Sequence, residues 1–298
     1  MQKFIFPKYL KKIRIDVGTG STAPNASLWL KNNKETAVLC FEADPRSYKI
    51  LINGGHTNQY TDKFRLVKKK YILYKNKIVK KVDYKILKIF NVAISISDKS
   101  KLNFYLTDKK NFGTSSLLKP IEKSLKQKIV KKIKVPVKKL SFFLKKIDFS
   151  HFKYIEFLKV DTQGNDLNVL KSCGKYLNKC CFIQAEYWAY KAYKGESTRQ
   201  ECLNSMKKFM ERRNFSLYYF TVSDAFFVNN SLKKKVISDK IVDNTIDFEK
   251  GLFYKSYFFG IFPGKLVIYA KIIIFLRKLK LFNYLFYKVF KVKFKKFI

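Results

Sequence analysis

The sequence predicts an α/β fold built on a mostly parallel sheet with helices on both faces. Short apolar segments alternate with segments of helical periodicity along the chain, and two glycines follow the first apolar segment. The chain has 298 residues, of which 47% are hydrophobic, so it can bury a large core. This composition excludes a disordered or collagen-like protein.

The elements follow from the local patterns. Apolar runs bounded by turn residues predict strands, and 3.6-residue periodicity predicts helices. The predicted strands are Ile13–Gly18, Ala37–Phe41, Leu87–Ile94, Ile155–Val160, Phe182–Ala185, Leu217–Phe220 and Ala225–Val228. The predicted helices begin at Ser27, around Pro45, at Val137 (ending at Lys146), at Asn165 and at Thr198 (ending at Arg213).

Positive charge is concentrated in particular segments. The chain has 63 Lys and Arg against 22 Asp and Glu, a net charge of +41. Such a charge is typical of a protein that binds polyanions, but an A/T-biased genome also enriches lysine. Two blocks near 56–86 and 119–146 are strongly basic and are predicted to be insertions. The remaining pattern predicts a domain over 1–230 and a basic, aromatic extension over 231–298.

The extension allows two roles. Residues 264–298 contain ten Lys and Arg and no acidic residue, among many aromatic and aliphatic side chains. Such a segment can lie in the interface of an anionic membrane, or it can pack on the domain with its lysines in water.

Cysteine usage and the N-terminal sequence indicate a compartment. Five cysteines without a C-x-x-C pair predict neither a disulfide framework nor a zinc site, and we expect no metal. No signal peptide and no membrane-spanning run is evident. We therefore expect a cytoplasmic protein, either in solution or peripheral at a membrane.

The turn after the first strand is a candidate ligand site. Gly18 and Gly20 stand where the backbone must turn sharply and approach a ligand, at the carboxyl end of the strand. Asp16, two residues earlier, can face a cationic group of that ligand. Glu42 ends the second strand, 22 residues beyond Gly20, where a carboxylate can accept hydrogen bonds from ribose hydroxyls. Together these residues predict a nucleoside site.

Later motifs make the pattern specific. In order, the chain contains I-D-V-G-T-G, F-E-A-D-P, N-V-A-I-S, F-G-T-S-S-L, V-P-V-K-K-L, L-K-V-D-T-Q-G-N-D-L-N-V-L-K, I-Q-A-E and D-A-F-F-V. This ordered set resembles the FkbM-type S-adenosylmethionine-dependent methyltransferases over about Ile13 to Asn230. The resemblance implies the seven-stranded class I methyltransferase fold and methylation of a hydroxyl on a sugar, glycolipid or small metabolite.

The resemblance also implies roles for individual residues. Asp16, Gly18 and Gly20 would bind the methionine part of S-adenosylmethionine, Glu42 its ribose, and Asn91 would lie near the adenine. Asp161 would face the reacting centre. Many family members have Asp-x-Glu-Gly where this chain has Gln163 in the third position. Because an amide cannot act as a base, Gln163 cannot take a role that needs a carboxylate at this position.

A hydroxyl acceptor benefits from a general base, and three residues are candidates. Asp161 and Glu186 each end a predicted strand, whereas His151 lies in a polar turn. Each also has a structural alternative as a donor-amine ligand, a turn cap or a solvated side chain.

Other functions remain open on the sequence. A nucleic-acid methyltransferase or a noncatalytic protein that binds polyanions or membranes fits the charge, although only seven residues are Arg. A nicotinamide oxidoreductase would share Gly18, Gly20 and Glu42 but gives no role to the later motifs. The sequence names no acceptor and no oligomeric state.

Overall fold

A computed structural model describes residues 2–21, 23–52, 85–108, 112–187, 192–195, 199–220 and 223–232. The first basic block therefore lies almost wholly outside the described residues, as does the C-terminal extension after residue 232. Ten strands are described: β1 Lys12–Val17, β2 Thr36–Phe41, β3 Leu87–Phe90, β4 Ala93–Ile94, β5 Lys101–Thr107, β6 Ile129–Lys138, β7 Ile155–Val160, β8 Cys180–Glu186, β9 Phe215–Phe220 and β10 Asp224–Asn229.

Seven of these strands form one sheet in the order β3-β2-β1-β7-β8-β10-β9. All neighbouring pairs from β3 to β8 are parallel, and β10 is antiparallel to both β8 and β9. Every residue of β2, β7 and β8 is buried, as expected for strands covered on both faces. The large, mostly parallel sheet confirms the predicted fold class.

The chain order reverses at β1, which pairs with β2 on one side and β7 on the other. Asp16 lies opposite Cys40 in the first pair and opposite Lys159 in the second. Because parallel strands end at the same edge, the turns after β1, β2 and β7 meet there. Ligands bind at such a switch point in open α/β sheets.

Helices connect the strands. Among the described residues they are α1 Pro24–Asn32, α2 Pro45–Ile52, α3 Glu122–Leu125, α4 Leu140–Leu144, α5 Asp166–Ser172 and α6 Arg199–Glu211. A proline is the first residue of both α1 and α2. An N–H group at this position would have no partner within the helix, so its absence in proline costs no hydrogen bond. In α6, Leu203, Met206 and Met210 are buried at spacings of three and four residues, so they form an apolar stripe on one side of this helix.

A second sheet has three strands in the order β4-β6-β5. In this region the structure differs from two of the predicted elements. The predicted strand Leu87–Ile94 is divided, because β3 joins the large sheet and β4 pairs with β6. The predicted helix Val137–Lys146 is also wrong at its start: Val137 and Lys138 end β6, and the helix covers only Leu140–Leu144.

The second basic block therefore contributes an ordered strand. Along β6 the lysines at 131, 132 and 134 are exposed, whereas Val135 and Val137 are buried. These valines pack with Ala93, Phe104 and Leu106 in a core of their own. The small sheet is thus held by its own apolar face, and its lysines remain in water.

Candidate active site

The turns at the carboxyl edge of the large sheet surround a cleft of about 220 Å³. One wall comes from the ends of β1, β2 and β7, and the opposite wall comes from the small sheet and the loop after β5. The lining residues include Gly18, Gly20, Glu42, Asp44, Ala93, Ile94, Phe104, Gly113, Ser115, Leu117, Lys159, Asp161, Gln163 and Asn165. The cleft therefore unites four of the sequence-predicted site residues: Gly18, Gly20, Glu42 and Asp161.

In the turn after β1, each of the two glycines is needed for a different reason. Gly18 has φ of 80°, and a Cβ there would lie 1.7 Å from the Asp161 carbonyl oxygen. This glycine lets the β7 turn approach the β1 turn. Gly20 has φ of 69°, and a Cβ there would meet nothing within 4 Å. Its backbone therefore borders open space in the cleft, where a ligand can approach.

Asp16 is fully buried at the end of β1. Neither of its carboxylate oxygens accepts a hydrogen bond of normal geometry from a described residue; the backbone N–H of Ala26 and Lys159 Nζ, 3.8 Å from Oδ1, stabilise its charge from longer range. Burial raises the pKa of Asp16 to about 6, against the lowering effect of Lys159. A buried carboxylate with incomplete pairing is suited to a cationic ligand group.

Glu42 is held by the backbone around it. Its Oε2 accepts a hydrogen bond from Gly20 N–H at 2.7 Å, and its Oε1 accepts one from Asp44 N–H at 2.8 Å. Burial raises the pKa of Glu42 to about 7, although these two hydrogen bonds lower it. Each carboxylate oxygen has a further lone pair, so both can still accept hydrogen bonds from ligand hydroxyls.

Asn91 differs from the other predicted cofactor residues. Its amide Nδ2 lies 2.8 Å from the Glu42 carbonyl and 3.4 Å from the Ala43 carbonyl. These contacts tie the end of β3 to the end of β2, and it is Val92 and Ala93 that line the cleft. Asn91 thus positions the Glu42 turn, and its contact with adenine stays a prediction.

Arg46 is a residue that sequence reasoning missed. It connects the cofactor side of the cleft to the opposite wall. Its guanidinium binds the Asp44 carboxylate at 2.7 and 3.0 Å, the Thr107 carbonyl at 2.9 Å and Ser115 Oγ at 3.2 Å. The bidentate pair is specific to arginine. The F-G-T-S-S-L motif, which carries Ser115, therefore lies on the cleft wall.

Lys159 is the second residue that sequence reasoning missed. It is 8% exposed, and its Nζ lies 3.1 Å from Asp161 Oδ2. Burial raises the pKa of Asp161, but the charge of Lys159 and the hydrogen bond from Gln163 outweigh it, so the pKa lies below its ordinary value. Asp161 is therefore ionised at neutral pH. A lysine inside the otherwise apolar run F-L-K-V-D was the available signal.

Gln163 connects the two predicted catalytic carboxyl groups. Its Nε2 donates to Asp161 Oδ1 at 2.8 Å and to Glu186 Oε2 at 3.0 Å, and its Oε1 accepts from the Tyr193 hydroxyl at 2.9 Å. Ser116 Oγ also donates to its carbonyl oxygen at 2.7 Å. The neutral amide thus donates hydrogen bonds to both carboxyl groups, whereas a third carboxylate at position 163 would repel them.

Glu186 is buried at the end of β8 and is not among the described residues that line the cleft. Burial raises the pKa of Glu186 well above its usual range, and neighbouring carboxylates, Asp161 first among them, raise it further. The environment therefore favours the protonated form of Glu186 more than that of an ordinary glutamate. Gln163 links Glu186 to Asp161, and a catalytic role of Glu186 stays a prediction.

His151 lies apart from this constellation. It precedes the amino end of β7, whereas Asp161 follows the carboxyl end of the same strand. Its ring packs edge-on against Phe152 with centroids 4.4 Å apart. The structure therefore places the third base candidate at the opposite edge of the sheet from Asp161. His56 lies outside the described residues.

Two other kinds of site are absent from the described part of the chain. There, no group of three His, Cys, Asp or Glu side chains is arranged to hold a metal ion. No helix within the same ranges has the length and apolarity that a bilayer span requires.

The sheet order, the glycine turn after β1 and the acid at the end of β2 define a Rossmann-like α/β domain with a nucleoside-type cleft. Residues 16–217 match the methyltransferase FkbM domain, and the chain belongs to this family of methyltransferases. No curated protein matches the chain. Family membership confirms the resemblance read from the motifs, and it leaves the nicotinamide oxidoreductase alternative without support.

Proposed function

We propose that this methyltransferase uses S-adenosylmethionine and methylates a hydroxyl group of a sugar, glycolipid or small metabolite. The observation that carries the proposal is one cleft lined by the ribose-type carboxylate of Glu42 and by the ionised Asp161, with the incompletely paired Asp16 buried in the adjoining strand β1. Members of this family usually use S-adenosylmethionine, so the cleft can be tested against that molecule.

The residues present fit the cofactor. Asp16 accepts no hydrogen bond of normal geometry from a described residue, which suits the α-ammonium group of the methionine part. Glu42 has lone pairs left for the two ribose hydroxyls, and the open space beside Gly20 admits ligand atoms close to the backbone. When bound, S-adenosylmethionine supplies an electrophilic methyl group on a sulfonium.

The chain's own contribution is orientation and proton handling. Asp161 is ionised and 34% exposed toward the cleft, so it can accept a hydrogen bond from the acceptor hydroxyl and then its proton. Gln163 and Lys159 fix both carboxylate oxygens. Because methyl transfer needs in-line alignment, this rigid placement is where we expect most of the rate enhancement to arise.

The first experiment is a calorimetric titration with S-adenosylhomocysteine, S-adenosylmethionine and NAD. We expect binding of the first two and none of NAD. Asp16→Asn keeps the shape but removes the charge, and should weaken binding about tenfold or more, since a charge-assisted contact is lost. The matched control is Asp148→Asn, in the turn before β7 at the opposite edge. Equal affinity of the Asp16 and Asp148 variants would refute the assignment of Asp16.

Transfer itself is tested with methyl-labelled S-adenosylmethionine and four acceptor classes: neutral saccharides, acidic saccharides, glycolipids and nucleic acid. Label transferred to saccharide or glycolipid hydroxyls supports the proposal. Label found only in nucleic acid would overturn it in favour of the nucleic-acid alternative.

A further inference from the structure

A second, larger groove of about 540 Å³ lies beside the β4–β6 ladder. Ala93 and Ile94 of β4 line the cleft, whereas their ladder partners Val137 and Lys138 line the groove. The two spaces are therefore lined by neighbouring, paired strands. Five lysines line this groove: Lys99, Lys138, Lys139, Lys145 and Lys175.

The groove is basic even after its own pairing is counted. Asp98 is the single carboxylate among its described lining residues, and it binds Lys139 at 2.5 Å. The remaining four lysines have their ammonium groups in or near water, since all four are exposed. An excess of positive charge in a concave space raises the local concentration of anions.

Aromatic rings hold these ammonium groups in place. The nitrogens of Lys138, Lys145 and Lys146 lie 5.5, 5.2 and 4.7 Å from the centroid of Phe142. On the other side of the groove, Lys175 lies 5.8 Å from the Tyr176 centroid. Attraction of the ammonium groups to the ring faces offsets the repulsion between these like charges. The ammonium groups therefore lie close together before a ligand binds.

We propose that this groove docks an acidic saccharide chain, the anionic part of the methyl acceptor. The inference rests on the proposed function, since it assumes a saccharide acceptor, and deepens it by naming the substrate class. Lysines supply the point charges that carboxylate or phosphate substituents need. Ser97, Ser100 and Ser141 line the same space and offer hydroxyl groups to sugar hydroxyls.

Two other polyanions fit less well. The described lining residues include no arginine, the residue that favours base recognition, and the faces of Phe142 already carry lysines rather than being open to stacked bases. A bilayer surface is flat and would reach only the rim of a concave groove. The proximity of the cleft also favours a ligand that extends from one space toward the other.

The experiment measures binding of fluorescent hexagalacturonate to the full chain by anisotropy, with maltohexaose as the neutral probe. The groove variant is Lys145→Glu/Lys175→Glu. The matched control is Lys131→Glu/Lys134→Glu, which changes the net charge equally at exposed lysines of β6 outside the groove. At fixed salt, we expect the groove variant to lose about tenfold or more in affinity and the control less than about threefold.

S-adenosylhomocysteine binding and a melting curve are measured on both variants. Unchanged values show that the cleft and fold are intact, so a failure of the groove proposal is distinguishable from a failure of the proposed function. Equal losses of hexagalacturonate binding in both variants would overturn the proposal, as would maltohexaose binding equally well. Groove-dependent binding that is tighter for single-stranded DNA or phosphatidylglycerol vesicles would also overturn it and assign the groove to that partner.

Discussion

Gly18 offers the sharpest test of how the site is built. We expect Gly18→Ala to destabilise the protein by about 3 to 4 kcal/mol. Any non-glycine residue at φ of 80° costs about 1 kcal/mol. The larger contribution comes from a Cβ that would lie 1.7 Å from the Asp161 carbonyl oxygen, because real contacts of this kind stay beyond 3.0 Å. Separating the β1 and β7 turns by that difference is severe overpacking and lies in the upper part, about 2–3 kcal/mol, of the range that overpacking costs.

Two other glycines serve as matched controls. Gly20 and Gly174 also have positive φ, of 69° and 56°, but a Cβ at either would meet nothing within 4 Å. Their alanine variants should therefore lose only the backbone contribution of about 1 kcal/mol. Gly20→Ala should still weaken S-adenosylhomocysteine binding, since its methyl group enters the cleft. Gly174→Ala, far from the cleft, should leave binding unchanged.

The assays are thermal melting and calorimetric titration. With about 2–4 °C lost per kcal/mol in a domain of this size, Gly18→Ala should melt roughly 6–15 °C below the wild type and the two controls about 2–4 °C below it. A melting temperature for Gly18→Ala within 2 °C of that for Gly174→Ala would refute the close approach of the two turns.

Two further predictions concern the carboxylates of the cleft. Glu42 has a pKa raised to about 7, so it is protonated in the empty cleft at pH 6. Because hydroxyl groups of the ligand donate to the ionised form, the affinity for S-adenosylhomocysteine should rise from pH 6 to pH 8. Glu42→Gln should flatten that rise, and an unchanged pH dependence would remove Glu42 from the site. Asp161→Asn should lower turnover about 100-fold or more, with melting and S-adenosylhomocysteine affinity little changed. Parallel loss of folding and turnover would make Asp161 structural.

The same carboxylate has a consequence for stability. Because the folded-state pKa of Glu42 lies above its ordinary value of 4.5, the folded protein holds this proton more tightly than the unfolded chain. Its contribution to stability is therefore present below pH 4.5 and is lost as the pH rises from 4.5 through 7. Ligand hydroxyls that stabilise the ionised form oppose this loss.

The central strands could be predicted because apolar residues dominate them. Ala37–Phe41 is a continuous apolar run, and Ile155–Val160 is apolar apart from Glu156 and Lys159, which are held in ion pairs; both segments form buried parallel strands. β6 was missed because lysines at 131, 132 and 134 dominate its composition, while the residues that decide its fold are the buried Val135 and Val137. Charge counted over a window conceals a two-residue period.

Site residues show a similar division. Asp16, Glu42 and Asp161 were predictable because each ends a strand at the ligand edge. Asn91 also ends a strand, but the direction of its amide depends on which carbonyls are nearby, and those belong to Glu42 and Ala43. Arg46 was not predictable for a related reason, since its partners Thr107 and Ser115 come from elements distant in sequence.

Lys159 explains how two nearby carboxylates take different roles. It lies 3.1 Å from Asp161 but 3.8 Å from Asp16, and Gln163 adds a hydrogen bond to Asp161 alone. The pKa of Asp161 is accordingly lowered, whereas that of Asp16 is raised to about 6 by its deeper burial. Asp161 is thus ionised in the empty cleft, while Asp16 gains from any cation that completes its pairing. On the ground of these two environments we propose that Asp161 faces the acceptor and Asp16 the cofactor.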